Sequence, residues 1–409
     1  MRTLRNAFAF SATVSKPTLP VRLSLTGLLI VFGLGCVTQG AIAATNATGA
    51  HVVRVGPKRN VTSVAEAARV ARSGDTVLID AGDYSGDVAA WTQNDLTIRA
   101  IGGRVRMIAG GKAAEGKGIW VVKGTDIVVE RIEFSGARVP DRNGAGIRHE
   151  GGKLTLRNCR FYENENGVLT WNNNASELII ENSEFHHNGA GDGRSHNLYV
   201  GEIKRLTVVG SYFHHARVGH LLKSRAEQNY VMYNRFTDEM TGRASYELEF
   251  PSGGVAYVVG NIIEQGPQTE NLNIISFGAE GFHWTQNEIY LVNNTLVDDA
   301  PGGGEFLRVA SGAGQVVAIN NLLLGRGSLE SAGGGLYGDN VVADRREFAA
   351  PASFDYRLKK SSLLVGKAQD PGTANGVKLR PLREYIHPMQ TRPLRGAPYS
   401  PGALQGVAP

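Results

Sequence analysis

One apolar position recurs along the chain at nearly constant spacing, and that recurrence limits the possible folds more than any other feature. Phe134, Phe161, Phe185, Phe213, Phe236, Ile263, Leu296 and Leu323 each close a short strand-like run, at intervals of 27, 24, 28, 23, 27, 33 and 27 residues. A period in this range is the length of one unit in a stacked repeat. Runs such as Ile127-Val128-Val129-Glu130 are short, β-branched and bounded by Gly, Asn and Asp, so the units are built from strands. Strand content excludes the all-helical repeats, and a leucine-rich repeat would need a Leu and Asn signature that is missing. An all-β solenoid, one coil per unit, remains.

Two residues before the anchors stand Cys159, Ser183, Ser211, Asn234, Asn261, Asn294 and Asn321, one per coil. Successive Asn at one position of successive coils can hydrogen-bond up and down the stack through their amides. These residues are therefore structural, and Cys159 in the same column reads as a small buried side chain.

Composition supports this reading. With 52 Gly in 409 residues the chain has turns too frequent for a helical bundle. Of the formal net charge of +5, four belong to Arg2, Arg5, Lys16 and Arg22 in an acid-free leader, leaving +1 and no footprint for nucleic acid. Residues 1–44 read as an export signal: a basic start, an apolar run from Leu23 to Val37, and Ala41-Ile42-Ala43-Ala44 as a cleavage site. An uncleaved anchor is the alternative. Cleavage implies a secreted or periplasmic protein with no membrane span, and removal of Cys36 leaves Cys159 without a disulfide partner. A monomer is expected.

Within residues 45–350, assigned to the solenoid, one helix is predicted near 63–73. Ser63 and Glu66 have capping-box spacing, the Ala-rich stripe follows, and Gly74 ends it. That segment, continued by Gly74-Asp75-Thr76 and Ala81-Gly82-Asp83-Tyr84, resembles the N-terminal cap of right-handed parallel β-helices of the pectate-lyase-like superfamily. Phe354-Asp355-Tyr356-Arg357-Leu358, with Ser361 and Gly366, resembles the motif that closes many of them. The resemblance implies a right-handed single-stranded parallel β-helix. Residues 351–409 are Pro-rich and lack strand periodicity, so they are expected to pack along its outside.

In such a coil equivalent residues stack about 4.8 Å apart and alternate residues face in and out. A second strand family begins Ile147-Arg148, Leu169-Thr170, Leu198-Tyr199, Leu222-Lys223, Leu248-Glu249, Ile275-Ser276 and Leu307-Arg308. With the first of each pair in the core, the outward column reads Arg148, Thr170, Tyr199, Lys223, Glu249, Ser276, Arg308, the surface of a groove that binds sugars. Arg225 shares the face of Lys223 and Glu247 that of Glu249, while flanking turns add His187, His196, His215, Arg217, His220, Asp238, Glu239 and Arg243. His186 with His214 and His187 with His215 would stack, but no acid joins them in those columns, so no metal ligand is assigned. His220 and Lys223, three apart, fall on opposite faces of a regular strand. Lys223 therefore ranks above His220 as the reactive group, with His196, His220 and Tyr246 at the strand start.

A lysine flanked by Arg225 and Arg217 suits one reaction, removal of the proton α to a uronate carboxylate in a β-elimination. Arg225 would neutralise the carboxylate, and Tyr199 would protonate the leaving oxygen or stack on a sugar. Glu249 beside Lys223 opposes this, since an ion pair favours the ammonium. Leu221-Leu222-Lys223-Ser224, followed by the Asn-rich rung from Asn229 to Phe236, resembles the catalytic segment of the chondroitinase B and alginate lyase family. That resemblance implies Lys223, in a Lys-Ser pair with Ser224, as the base of a polysaccharide lyase acting on an acidic polysaccharide. Two departures stand beside it. The family's Arg-His-Gly on the next rung is replaced by Leu248 to Gly253, and its calcium-binding glutamates correspond to Ala216 to Gly219, which has no acid. Cofactor expectations stop at a divalent cation such as calcium, without a recognisable site.

The candidate catalytic residues are thus Lys223, Arg225, Tyr199 and Glu249. The candidate substrate-binding residues are His196, His215, Arg217, His220, Arg243, Tyr246 and Glu247. Two alternatives stay open. One is a glycoside hydrolase using Glu247 and Glu249, whose backbone positions would lie roughly 6.6 Å apart on one strand face. The other is a β-helix that binds glycan or builds a surface without catalysis.

Overall fold

The computed structural model describes residues 51–329, 335–396 and 398–408. The expected export signal, with Cys36, lies outside the described residues. Within them the chain is a right-handed parallel β-helix whose coils each contribute up to three strands. In one coil these are Ile203–Val209, Tyr212–His214 and Leu222–Ser224. The first two strand columns belong to one hydrogen-bonded sheet of 21 strands, and the third forms a separate sheet of nine.

The sharp bend between the first and second strands explains much of the composition. Asn158, Asn182, Gly210, Tyr233, Gly260, Asn293 and Asn320 occupy it in successive coils, all with φ between 49° and 68°. This left-handed conformation favours Gly and Asn. The next residue points inward and carries the ladder. Asn234 Nδ2 donates to Asn261 Oδ1 at 3.0 Å, Asn261 to Asn294 at 3.1 Å, and Asn294 to Asn321 at 3.0 Å. Ser211 Oγ and Ser183 Oγ continue the column by accepting the backbone N–H of Ser183 and Cys159. The ladder runs one coil further than the sequence suggested, to Asn340. A second one, Asn164 to Asn188 to Asn197, escaped sequence analysis.

Two residues on, every anchor pairs with its predicted neighbour from Phe134 to Leu323. The five Phe rings stack with centroids 4.6–5.1 Å apart. Each buried ring contributes about 1.5–3 kcal/mol by leaving water.

One end of the core is covered by the helix Val64–Val70. Ser63 caps it by accepting the Glu66 N–H at 3.1 Å, while Asp87 accepts those of Val64 and Ala65. Beyond the last solenoid strand, Val341–Val342, the C-terminal segment lies along the outside. Phe348, Tyr356, Leu358 and Tyr385 pack on Ile262, Val297 and Leu322 of the second column. Leu379 packs on Tyr257 and Tyr290 of the first. The third column receives no such cover and carries the candidate site.

Candidate functional site

Along the third column Tyr199, Lys223 and Glu249 are direct neighbours in successive coils, followed by Ser276 and Arg308. Thr170 does not belong there. Leu169 pairs with both Arg148 and Tyr199, so Val168 fills the core and Thr170 turns inward, its Oγ1 accepting the Gly201 N–H at 2.8 Å. Two adjacent apolar residues, Val168 and Leu169, made the register ambiguous.

Lys223 Nζ stands 2.9 Å from Glu249 Oε2 and 3.0 Å from Glu280 Oε1. Arg225 grips the same Glu280 carboxylate through Nε at 2.9 Å and Nη2 at 2.8 Å, and its Nη1 donates to the Tyr199 hydroxyl at 3.1 Å. Burial opposes the charge on Glu280, but the hydrogen bonds from Arg225 and Lys223 outweigh it and leave its carboxyl below the ordinary range. Glu280 was missed from the sequence because it sits on the non-repeating loop between Asn273–Phe277 and Glu288–Val292. The signal was the 33-residue interval in a series that otherwise stays at 23–28. Trp284 Nε1 pins that loop by donating to Arg225 O at 3.0 Å, and the Glu280 N–H bonds Pro251 O.

His220 and Lys223 were expected on opposite faces, yet both reach Glu249 Oε2, with His220 Nδ1 at 3.0 Å. The strand is only Leu222–Ser224, so His220 lies in the preceding turn, where strand alternation does not apply. Burial works to raise the Glu249 carboxyl, but His220 and Lys223 more than offset it and hold it at about 2. His196, His220 and Tyr246 do adjoin one another at the strand start, with ring centroids 4.3 and 4.9 Å apart, the first pair tilted and the second edge-to-face. The His220 N–H donates to His196 Nδ1 at 2.9 Å, which leaves the His196 proton on Nε2. Burial, reinforced by the charges of His220, Lys223 and Arg225, keeps His196 well below the usual histidine range.

These groups open on a cleft of about 690 Å³ lined by His196, Tyr199, Lys223, Arg225 and Glu280, with Arg142 and Arg194 on its far wall. A second cleft of about 350 Å³ shares Asn143, Tyr199 and Arg225 with the first and extends the groove past Arg148 and Trp171.

Other expected residues lie elsewhere. His215, Arg217 and Arg243 sit in turns after the second column and do not line these clefts. His215 contacts Thr241 at 3.1 Å, Arg217 contacts Glu163 at 3.4 Å, and Arg243 pairs with Glu270. Glu247 is 0% exposed, and neither of its carboxylate oxygens has a hydrogen-bond partner. It precedes the strand Leu248–Phe250 and is buried, so it cannot join Glu249 in contacting a ligand in the groove. Asp238 Oδ1, Gln265 Oε1 and Asp298 Oδ2 are likewise buried without a donor. Burial raises Asp238 to about 7 and Glu247 well above the carboxylate range. Ser224 also faces inward, its hydroxyl donating to Asn229 Oδ1 at 2.6 Å.

Among the described residues no three His, Cys, Asp or Glu side chains are placed to hold a metal ion. The calcium implied by resemblance does not fit Ala216 to Gly219, which contain no acid, and Glu163, 3.4 Å from Arg217, is paired with that cation. Nor is any helix among them long and apolar enough to cross a membrane.

The profile of the right handed beta helix region matches residues 107–323. Comparison with curated proteins finds no match. Among solved structures the chain is similar to pectate lyase Pel9A, with a TM-score of 0.59 and 14% identity over 80% of this chain and 94% of that one. A pectin methylesterase bound to a hexasaccharide aligns with a TM-score of 0.29 and 11% identity, over 70% of this chain and 80% of that one. At 14% identity the likeness to the pectate lyase speaks to fold alone. With the profile match spanning more than half its length, and coil after coil in the register described above, the chain belongs to the right-handed β-helix family.

Proposed function

We propose that the protein is an exported polysaccharide lyase that cleaves a uronate-containing polymer by β-elimination. The observation that carries this reading is the Glu280 carboxylate, held by Arg225 and Lys223 together in an open groove. It occupies the place where a substrate carboxylate would sit. A uronate that displaces it also releases Lys223 from one of its two acids. Glu249 still favours the ammonium, so Lys223 first gives a proton to water; its neutral Nζ then takes the proton from the carbon α to the carboxylate, while Arg225 balances the charge that develops on the carboxylate. The C–H electron pair becomes the new double bond, the C–O bond β to the carboxylate breaks, and the Tyr199 hydroxyl protonates the departing oxygen. Export rests on the leader sequence alone.

The test is ultraviolet absorbance of the purified protein mixed with alginate, polygalacturonate, glucuronan and glycosaminoglycans, with and without chelator. A rise with one polymer, lost by about 10²-fold or more in Lys223→Ala and Arg225→Ala, is the expected result. Full activity in those variants would remove the assignment. A flat trace with every polymer would remove the lyase.

A further inference from the structure

Beside the Tyr199–Lys223 column runs a second outward column: Trp171, Gly201 and Arg225 in three consecutive coils. The register follows from the pairs Leu169 with Tyr199 and Val200 with Ser224, and from Arg225 N–H bonded to Val200 O at 3.0 Å. Trp171 is 59% exposed. A single exposed aromatic is ordinary on a protein surface, but three observations set this one apart. It lines the groove already described, in the cleft it shares with Tyr199 and Arg225. The guanidinium of Arg148 lies 5.3 Å from its ring centroid, and Arg148 Nε is buried without a hydrogen-bond partner. The nearest acid, Glu150, is 3.4 Å from that nitrogen and is already bound by Lys117. Finally, Gly201 leaves the column without a side chain between Trp171 and Arg225, whose backbones are two rungs or roughly 9.6 Å apart. A Cβ at Gly201 would come within 2.3 Å of Asn172 Oδ1, which accepts the Glu202 N–H at 2.9 Å, so the Asn172 amide lies where a side chain at 201 would begin.

We infer that Trp171 and Arg148, in the cleft they line with Asn172 and Gly201, form a binding subsite for a pyranose ring carrying a carboxylate, two coils from Lys223. The indole offers an apolar face to the C–H face of the sugar, and Arg148 and Arg225 place a cation on either side of it. This inference rests on the proposed reading of the groove, so the experiment separates the two.

Calorimetric titration of the Lys223→Ala protein, which prevents turnover, with tetragalacturonate, tetramannuronate, a chondroitin tetrasaccharide and neutral cellotetraose measures binding alone. One uronate probe binds, and adding Trp171→Ala weakens it about tenfold, with Trp171→Phe intermediate. Adding Arg148→Met weakens the uronate and leaves cellotetraose unaffected. Equal affinity with and without Trp171, cellotetraose bound as tightly as the uronates, or no binding of any probe would each overturn the subsite. Binding that depends on Trp171 in a wild-type protein that cleaves nothing would retain the subsite and discard the lyase. Cleavage with KM unchanged in Trp171→Ala would do the reverse.

Discussion

Asn234, Asn261 and Asn294 point into the core from the start of three successive second-column strands, and four residues further along the same strands stand Asp238, Gln265 and Asp298, with Glu247 buried near them. In the Asn ladder each amide donates to the next coil at 2.8–3.1 Å, and each Oδ1 also accepts a backbone N–H from the coil before. In the acid group, Asp238, Gln265, Asp298 and Glu247 keep five acceptor oxygens buried without a donor. An amide contains both halves of a hydrogen bond, so identical neighbours complete one another. A carboxylate only accepts, and the one amide in this group, Gln265, gives its Nε2 donors to Thr269 Oγ1 and Asn271 O, so Asp238, Asp298 and Glu247 stay uncompensated and are driven toward the protonated form. The same stacking geometry is therefore stabilising for one side chain and costly for the other, and the cost lies behind the groove, two residues from Glu249.

Phe236 sits between the two columns on one strand and sets the scale. Phe236→Ala should destabilise by about 4 kcal/mol in urea unfolding, since the ring is fully buried and stacks on Phe213. Asn261→Ala should cost about 3 kcal/mol by stranding the Asn234 N–H and amide. A loss under 1 kcal/mol would show that the ladder adds nothing to the ring stack. Glu247→Gln should act in the opposite direction, stabilising by about 2 kcal/mol at pH 8 and hardly at all at pH 4, where the native carboxyl is already protonated. The smallest effect is on pH dependence. Asp238 is raised to about 7 in the folded protein, so its contribution is fully present below the ordinary Asp value near 3.9 and is lost as pH rises through about 7. Raising the pH from 5 to 8 should widen the difference in unfolding midpoint between Asp238→Asn and the wild type by a few degrees, the variant becoming the more stable; the difference isolates Asp238 from His149, His186, His196 and His215, whose depressed values act in the opposite direction. A difference that stays constant over this range would mean that Asp238 finds partners in solution.

The ring column and most of the ladder could be read from the sequence because each is one residue type repeated at one place in the coil. The groove was legible where it obeyed the same rule, as in the stacked Tyr199, Lys223 and Glu249, and at Arg225 and His196 close to them in the chain. Thr170 was misplaced because Val168 and Leu169 present two equivalent core candidates. His220 was set on the wrong side because a three-residue strand is too short for alternation to reach the turn before it. Glu247 was taken as a groove residue by the same extension of alternation beyond Leu248. His215, Arg217 and Arg243 are near Lys223 in the chain but leave the coil at a different corner. Glu280, Trp171 and Arg194 come from turns, where no period operates, so only the completed fold brings them to Lys223.

The loop that delivers Glu280 begins and ends within a single coil, and the strands on either side of it keep their register with the coils before and after. Its length is thus free of the constraints that govern the rest of the stack. Descendants of this chain can lengthen, shorten or recharge that one excursion and so change what the groove accepts, while inheriting the folding of every coil unaltered.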